Sequence, residues 1–579
     1  MPVVKHSNRL RQLIRPSGWA LLAALAPLAA LAPLAALAAA PAPPVAPSVP
    51  DSGNLLQQIT PNTPPTPSPT GTGLTIEREG GATAPPSEAF TVTSLTITGN
   101  TRIDTATLHT LVADAEGKSL TLAQLGAVAD RITDYYHKHN YPLARAIIPA
   151  QTIRGGAVTI QVLEASYGKV TLTNKSHVTD SLLESTLAPL HSGEVIEQSE
   201  MDHILLLLSD VPKIEVDAVI KPGEGVGTSD LDITTLPGPR VTGVASVDDY
   251  GNRYTGRERL AGSVSLIDPL DHGDFLTLSG LTSGDRLNYA RASYEVTANG
   301  WGTRVGGAYS ALHYFLGDGL VALDGHGTAQ VGSAWAKQPL MRSESVNLYA
   351  QIQYDALRLH DEIGASAIQT NRHLNDFTAS LTGDARDAFW AGGVSTLDLG
   401  VSGGNLGFEN DAAQVADAAS ARTRGDFSKV NLNLARLQKL SASNGLYLSF
   451  AGQWTGDNLD SSQKMIGGGP YTVRSYDLGV VSGDTGYLGT AEFQHDLGAW
   501  FGQWQAATFI DSQHIVINQT RWVPGPNSAN LSGAGLGMTW AGPYQFSARA
   551  YVAARFGGVS AVVPDSSSVR VWIELTKLF

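Results

Sequence analysis

The chain of 579 residues contains no cysteine, which excludes disulfides and thiolate chemistry but leaves the compartment open. Charged residues are scarce at 16%. No long Lys/Arg run or basic stripe occurs, net charge is −14 and the pI is about 5.4, so a nucleic-acid partner is not expected. Beyond the first forty residues, no stretch approaches the ~20 apolar residues that a spanning helix requires. There is no P-loop and no H-E-x-x-H, and the 14 histidines are scattered. His137 and His139 fit an exposed helix end better than a metal site. No cofactor or metal is expected. One G-x-S-x-G match, Gly400-Val401-Ser402-Gly403-Gly404, is followed by Asn405-Leu406-Gly407-Phe408 rather than by a helix. It lacks the strand-to-helix turn of a nucleophile elbow, and an enzyme reading has no other support.

What the chain does contain points to strands and turns. It has 61 glycines, 42% hydrophobic residues and a mean hydropathy of −0.04. Lys5, Arg9, Arg11 and Arg15 precede an Ala/Leu-rich run over residues 19–40 that ends in Ala38-Ala39-Ala40. That order is a secretory signal, and Pro27 and Pro33 within the run argue against a membrane anchor. Its removal would take the net charge from −14 to −18. Residues 41–88 are rich in Pro, Thr, Ser and Gly and are expected to form an extended linker. Within them, residues 51–59 could form a short helix capped by Asp51 or Ser52. So short a helix is marginal alone in water, so it either docks or is plain linker.

Residues 89–236 hold a diverged repeat. Leu95-Thr96-Ile97-Thr98-Gly99-Asn100 opens the first copy and Val170-Thr171-Leu172-Thr173-Asn174-Lys175 the second. Helical patterning follows over Thr105–Ala113 and Leu122–His139, then over Asp180–Leu187 and Glu197–Leu208. Strand-like segments close each copy: Ala144–Ile148 and Ala157–Leu163, then Ile214–Ile220 and Asp230–Thr234. The order β-α-α-β-β, twice, predicts two small sheets, each with two helices on one face and one open edge. An open edge can pair with an extended peptide.

From Arg240 onward the pattern is alternation. Apolar residues occupy even positions of Val346–Tyr354 and Val430–Leu434, and Val569, Val571, Ile573 and Leu575 alternate with Arg570, Trp572, Glu574 and Thr576. Strands of ~10 residues with this dyad pattern mark a membrane β-barrel, and closure is the only way strands can cross lipid. At roughly 21 residues per strand and connection, residues 240–579 predict about 16 antiparallel strands around a polar lumen.

Several motifs carry a family resemblance. They are Ile148-Pro149-Ala150-Gln151 with Gly156 and Val158–Leu163, Asp249-Tyr250-Gly251-Asn252-Arg253-Tyr254-Thr255-Gly256, and Gln338-Pro339-Leu340-Met341-Arg342-Ser343. The longest is Ile466-Gly467-Gly468-Gly469-Pro470-Tyr471-Thr472-Val473-Arg474-Ser475-Tyr476 with Ser482-Gly483-Asp484, and Phe509-Ile510-Asp511 follows. With the order of segments, these resemble two-partner secretion transporters of the FhaC/ShlB/HecB (haemolysin secretion/activation) type, in the BamA-like superfamily. The periplasmic repeats of that superfamily are called POTRA domains. The resemblance implies POTRA 1 at 89–165, POTRA 2 at 166–236 and an outer-membrane barrel at 240–579.

The resemblance also implies a long loop folded into the lumen. Its Arg474 would meet Asp511 on the barrel wall, flanked by Val473, Tyr476 and Phe509. An Arg fork and a carboxylate pair bidentately when rigidly held, which makes such a pair a lock on position. Ser475 and Gln513 stand where the family has Gly. Leu55, Leu56 and Gln57 resemble a segment that plugs the pore as a helix, and Phe579 suits the terminal aromatic read by barrel-assembly machinery.

The implied function is recognition by the POTRA pair, and export without ATP, of a large secreted exoprotein whose N-terminal secretion region arrives unfolded. A barrel-assembly insertase and a passive porin are the alternatives. Two repeats and the linker argue against the first, and the presence of repeats argues against the second.

Overall fold

The computed structural model describes residues 49–59, 63–77, 87–212, 214–558, 560–564 and 567–579. The expected signal segment, residues 1–40, lies outside them.

Each repeat is a three-stranded sheet with its strands in the order first, third, second. In the first repeat these strands are Ser94–Thr98, Ala157–Leu163 and Arg145–Ile147. In the second they are Ser166–Asn174, Thr228–Pro237 and Ile214–Pro222. The helix Leu122–Lys138 starts at a capping box, in which the Gln124 amide nitrogen donates to Thr121 Oγ1 at 3.3 Å and the Thr121 amide to Gln124 Oε1 at 2.9 Å. It buries Leu125, Val128, Ala129, Ile132 and Tyr136, one helical stripe, against the first sheet. In the second repeat Gln198–Ser209 buries Met201, Ile204, Leu205 and Leu208 in the same way.

Two expectations change. The helix expected over Thr105–Ala113 ends at Thr110, and a single 3₁₀ turn, Ala113–Ala115, replaces its last residues. The second sheet is open along only part of its edge. Leu74–Ile76, expected to be linker, forms a fourth strand parallel to Ile214–Pro222. Backbone groups on a bare edge seek partners, and here the chain's own upstream segment supplies them.

The sixteen antiparallel strands from Val241–Asp248 to Val569–Leu578 close into a barrel. The seam joins the first strand to the last, with Val244 to Asp248 opposite Leu578 to Glu574. Alternation decides which side chains meet which medium. Val569, Val571, Ile573 and Leu575 point outward and stay uncovered by protein, while Trp572 on the other face is buried. An apolar outer face of this kind fits lipid.

Four strands in the middle of the barrel run well past ten residues: Gly325–Arg342, Val346–Ile363, Ile368–Asp387 and Gly393–Phe408, at 18, 18, 20 and 16. The membrane needs only ~9–11 tilted residues, so these strands project beyond it. Connections at one end are short, as at residues 343–345 and 500–502, and those at the other are long, as at 409–424 and 456–484. Short turns are periplasmic in such barrels, and both repeats lead into the barrel from that end. The G-x-S-x-G serine sits mid-strand in Gly393–Phe408, its hydroxyl 2.8 Å from that of Thr378.

Candidate functional site

Residues 456–484 connect the eleventh strand, Asn444–Thr455, to the twelfth, Thr485–Ala499, and fold inward rather than out. A short hairpin, Met465–Gly467 with Val481–Gly483, carries the tip down into the lumen. Gly468 turns it at φ +80°, and a Cβ there would lie 2.2 Å from the Asp477 carbonyl, so glycine is required. At the hairpin base the buried Asp484 accepts from the amides of Leu459 at 3.0 Å and Gln519 at 2.7 Å, and pairs with Lys464 at 2.9 Å.

The tip arginine meets the wall. Arg474 Nε and Nη2 donate to the two oxygens of Asp511, each at 2.9 Å, and Nη1 donates to Glu492 at 2.6 Å. The Arg474 amide adds a bond to Asp511 at 3.2 Å, and the Thr490 hydroxyl another at 3.0 Å. The guanidinium lies 3.3 Å from the Phe509 ring centroid, and Phe509 meets Tyr551 edge-on. Trp572 Nε1, on the last strand, donates to the Arg474 carbonyl at 2.7 Å. Val473 and Tyr476 are buried beside it.

Phe509, Asp511 and Gln513 are on one face because a strand repeats every two residues. Gln513 ties the hairpin to the wall by donating to the Ile466 carbonyl at 3.0 Å. Ser475 needs no glycine, because its φ is not positive. Its hydroxyl instead fills the space over Gly533, where a Cβ would be only 2.0 Å away.

The tip has a second anchor that sequence reasoning missed. Asp477 pairs with Arg257 at 2.9 Å and with Arg570. Arg257 and Arg570 lie 220 and 93 positions from Asp477 in the sequence, and no local motif marks them.

The helix Ser52–Ile59 lies against the inner wall. Leu55 and Leu56 are buried among Leu312, Tyr314, Leu357, Leu359 and Leu374. Asp51 caps it, accepting from the Asn54 amide at 2.8 Å. Ser52 donates through its amide and hydroxyl to Asp361 at 2.7 and 2.9 Å. Gln57 reaches the Ser462 carbonyl, and Asn252 donates to Gln58 at 2.9 Å and to the Leu478 carbonyl at 3.2 Å. Asn252 therefore joins helix and loop tip. Beneath them Arg372 gathers Asp51, Asp361 and Asp460 at 3.4, 2.5 and 2.6 Å. This node too carries no sequence signal.

From the helix the chain returns to the periplasmic end. There Ser68 donates to Asp384 at 2.9 Å and its carbonyl accepts from Arg386. Arg342, the arginine of the Pro-Leu-x-Arg turn, holds three segments together. Its Nε and Nη2 fork onto Asp210 of the second repeat at 2.7 and 2.9 Å. Nη2 also reaches the Pro69 carbonyl at 2.9 Å, and Nη1 donates to Asn347 at 2.9 Å.

Among the described residues no cluster of His, Cys, Asp or Glu could hold a metal ion. The arrangement is mechanical: a wide polar tube, two inward elements tied to its wall, and a tether running from one of them to the periplasmic repeats.

Comparison with known proteins fits this construction. Residues 227–540 match the family described as "Haemolysin secretion/activation protein ShlB/FhaC/HecB", and residues 90–165 match "POTRA domain, ShlB-type". The heme/hemopexin transporter protein HuxB of Haemophilus influenzae is 27% identical over 490 residues, covering 83% of this chain and 85% of its own. The outer membrane transporter CdiB of Escherichia coli is 25% identical, covering 73% of this chain and 70% of its own. The solved structure of CdiB from Escherichia coli shares the fold with a TM-score of 0.66 at 21% identity, over 87% of this chain and 93% of that one.

Proposed function

The chain belongs to the haemolysin secretion/activation family ShlB/FhaC/HecB, and on that premise we propose how it works as an outer-membrane pore for a partner exoprotein. Residues 1–40 are removed on export, 41–88 form a linker that carries the helix Ser52–Ile59 and the strand Leu74–Ile76, and 89–165 and 166–236 stand in the periplasm before the barrel at 240–579. The POTRA pair captures the unfolded N-terminal region of one large exoprotein. The helix at Leu55, Leu56 and Gln57 and the loop tip at Arg474 close the resting pore. Both shift when cargo arrives, and the cargo then threads the lumen. No nucleotide is available in the periplasm, so folding of the cargo outside the cell drives the process.

The observation that carries this reading is the stopper and its tether. The segment leading to the periplasmic repeats is the one whose helix packs against the inner wall of the lumen, held by contacts that can be released without breaking the barrel. A passive porin has no use for a stopper wired to a capture module. The Arg474–Asp511 fork acts as a position lock, since a buried ion pair fixes geometry more than it adds net stability.

Mass spectrometry of culture supernatants, with and without the gene, tests the proposal. One large protein should vanish outside while other outer-membrane proteins stay unchanged. If nothing vanishes while a candidate cargo is being made, the export reading fails. If many outer-membrane proteins decline instead, an insertase replaces it.

A further inference from the structure

The second POTRA sheet carries a borrowed strand. Leu74, Thr75 and Ile76 lie opposite Ala218, Val219 and Ile220, all running in the same direction. The Ala218 amide donates to the Gly73 carbonyl at 3.0 Å and the Glu77 amide to the Ile220 carbonyl at 2.9 Å. Leu74 packs against the core of the repeat, and Thr75 faces out. Gly73 makes the turn into this strand at φ +65°, where a Cβ would strike the Val216 carbonyl.

The covered strand, Ile214–Pro222, has nine residues, and the borrowed one has three. Backbone on either side of the short pairing is left as edge. The matching edge strand of the first repeat, Arg145–Ile147, is itself only three residues long. The longer recognition edge therefore belongs to the second repeat. It sits where Asp210 and the Arg342 fork hold that repeat against the barrel mouth.

We infer that Ile214–Pro222 is a cargo-docking edge and that Leu74–Ile76 is a resident placeholder, displaced when an extended segment of the exoprotein adds to the sheet. The inference rests on the export reading above. The fitting partner is an unfolded chain in β conformation, with an apolar residue at the Leu74 position and polar residues on the outward face. Main-chain bonds supply the affinity, so the rest of the sequence is loosely specified. The uncovered ends of the edge give the incoming strand a place to start before the placeholder leaves.

Direction follows from the parallel register. The placeholder runs away from the mouth, where Ser68 and Pro69 are held, toward the far end of the repeat. A cargo strand in the same register presents its N-terminal side to the pore. The placeholder also keeps a bare edge from pairing with other unfolded chains in the periplasm.

The test uses the full chain, whose lack of cysteine makes introduced thiols unique. Thr75→Cys and Val219→Cys are combined and joined by a cleavable thiol cross-linker. Binding of the N-terminal fragment of the gene-dependent exoprotein is measured before and after cleavage. The cross-linked chain is expected to bind at least roughly tenfold more weakly, with recovery on cleavage. Thr75→Pro, which deletes a linker N–H without touching the barrel, should instead bind about tenfold more tightly, the factor that ~1.4 kcal/mol of lost placeholder pairing supplies. Equal affinity of the cross-linked and cleaved forms overturns the inference and leaves the export reading standing. If no exoprotein depends on the gene at all, the export reading fails and the inference falls with it.

Discussion

Asp511→Ala removes the wall carboxylate from the loop lock, and its consequence can be worked from the contacts. The Arg474 guanidinium loses two charge-assisted bonds at 2.9 Å and keeps one, to Glu492 at 2.6 Å, while the Arg474 amide loses its bond to Asp511 at 3.2 Å. Its side chain is only 6% exposed and that of Asp511 only 1%, so water cannot replace the lost partner in the closed state. Removing one member of a buried pair costs ~3–5 kcal/mol, and the surviving Glu492 places the expectation near the lower bound, ~3 kcal/mol. At 1.36 kcal/mol per decade, that raises the population of the open tip about 100-fold.

Hydrogen exchange on the full chain in detergent reads this population, because amides over 468–480 exchange through local opening. They should exchange about 100-fold faster in Asp511→Ala, while amides of Val346–Ile363 keep their protection. Glu492→Gln, which weakens one bond only, should raise exchange by about tenfold, as expected for ~1–2 kcal/mol. In cells Arg474→Ala and Asp511→Ala should each impair export while the barrel stays in the membrane. Unchanged exchange at the tip in Asp511→Ala, or normal export by both variants, would refute the lock.

Three further outcomes are expected. Leu56→Asp places a charge among Leu357, Leu359 and Leu374. It should undock the helix and raise bilayer conductance and uptake of large antibiotics, whereas wild-type conductance would mean the helix does not close the pore. Arg342→Ala frees the Pro69 carbonyl and leaves Asp210 unpaired. Protease cleavage of the linker and of the junction between second repeat and barrel should rise together, and a rise in only one would show the two are not coupled through this residue. The last concerns Glu164. Desolvation pushes its carboxyl up, but the Thr101 hydroxyl, the amides of Arg102 and Thr101 at 2.8 and 2.7 Å, and the Tyr136 hydroxyl at 2.7 Å outweigh that and hold it below the usual range. A depressed folded value means its contribution is present above the unfolded value near ~4.3 and is lost as pH falls through the folded one. Glu164→Gln should therefore ease urea-assisted proteolysis of residues 90–165 at pH 7, and the difference should shrink below about pH 4; a pH-independent difference would refute the assignment.

The sequence determined the parts whose physics is local. Period-two alternation from Arg240 onward required strands with one apolar face, and strands that cross lipid must close because lipid offers no partner for an unpaired edge. The capping box at Thr121 and the stripe from Leu125 to Tyr136 were equally readable, because a helix makes its contacts within a few positions. The Arg474 and Asp511 motifs were legible only by resemblance, since nothing in either segment alone says that residues 37 positions apart share a bond.

Tertiary structure decided the rest. Whether residues 51–59 dock depended on a wall built from strands hundreds of residues away, and Asp361, Arg372 and Asp460 met only once the barrel had closed. Arg342 became the joint between repeat, tether and barrel because Asp210 and Pro69 were brought to it. Leu74–Ile76, plain linker by composition, became a strand because an edge of unpaired backbone lay within reach. An isolated three-residue strand has too little pairing to hold itself extended, so its form is fixed by the partner it finds.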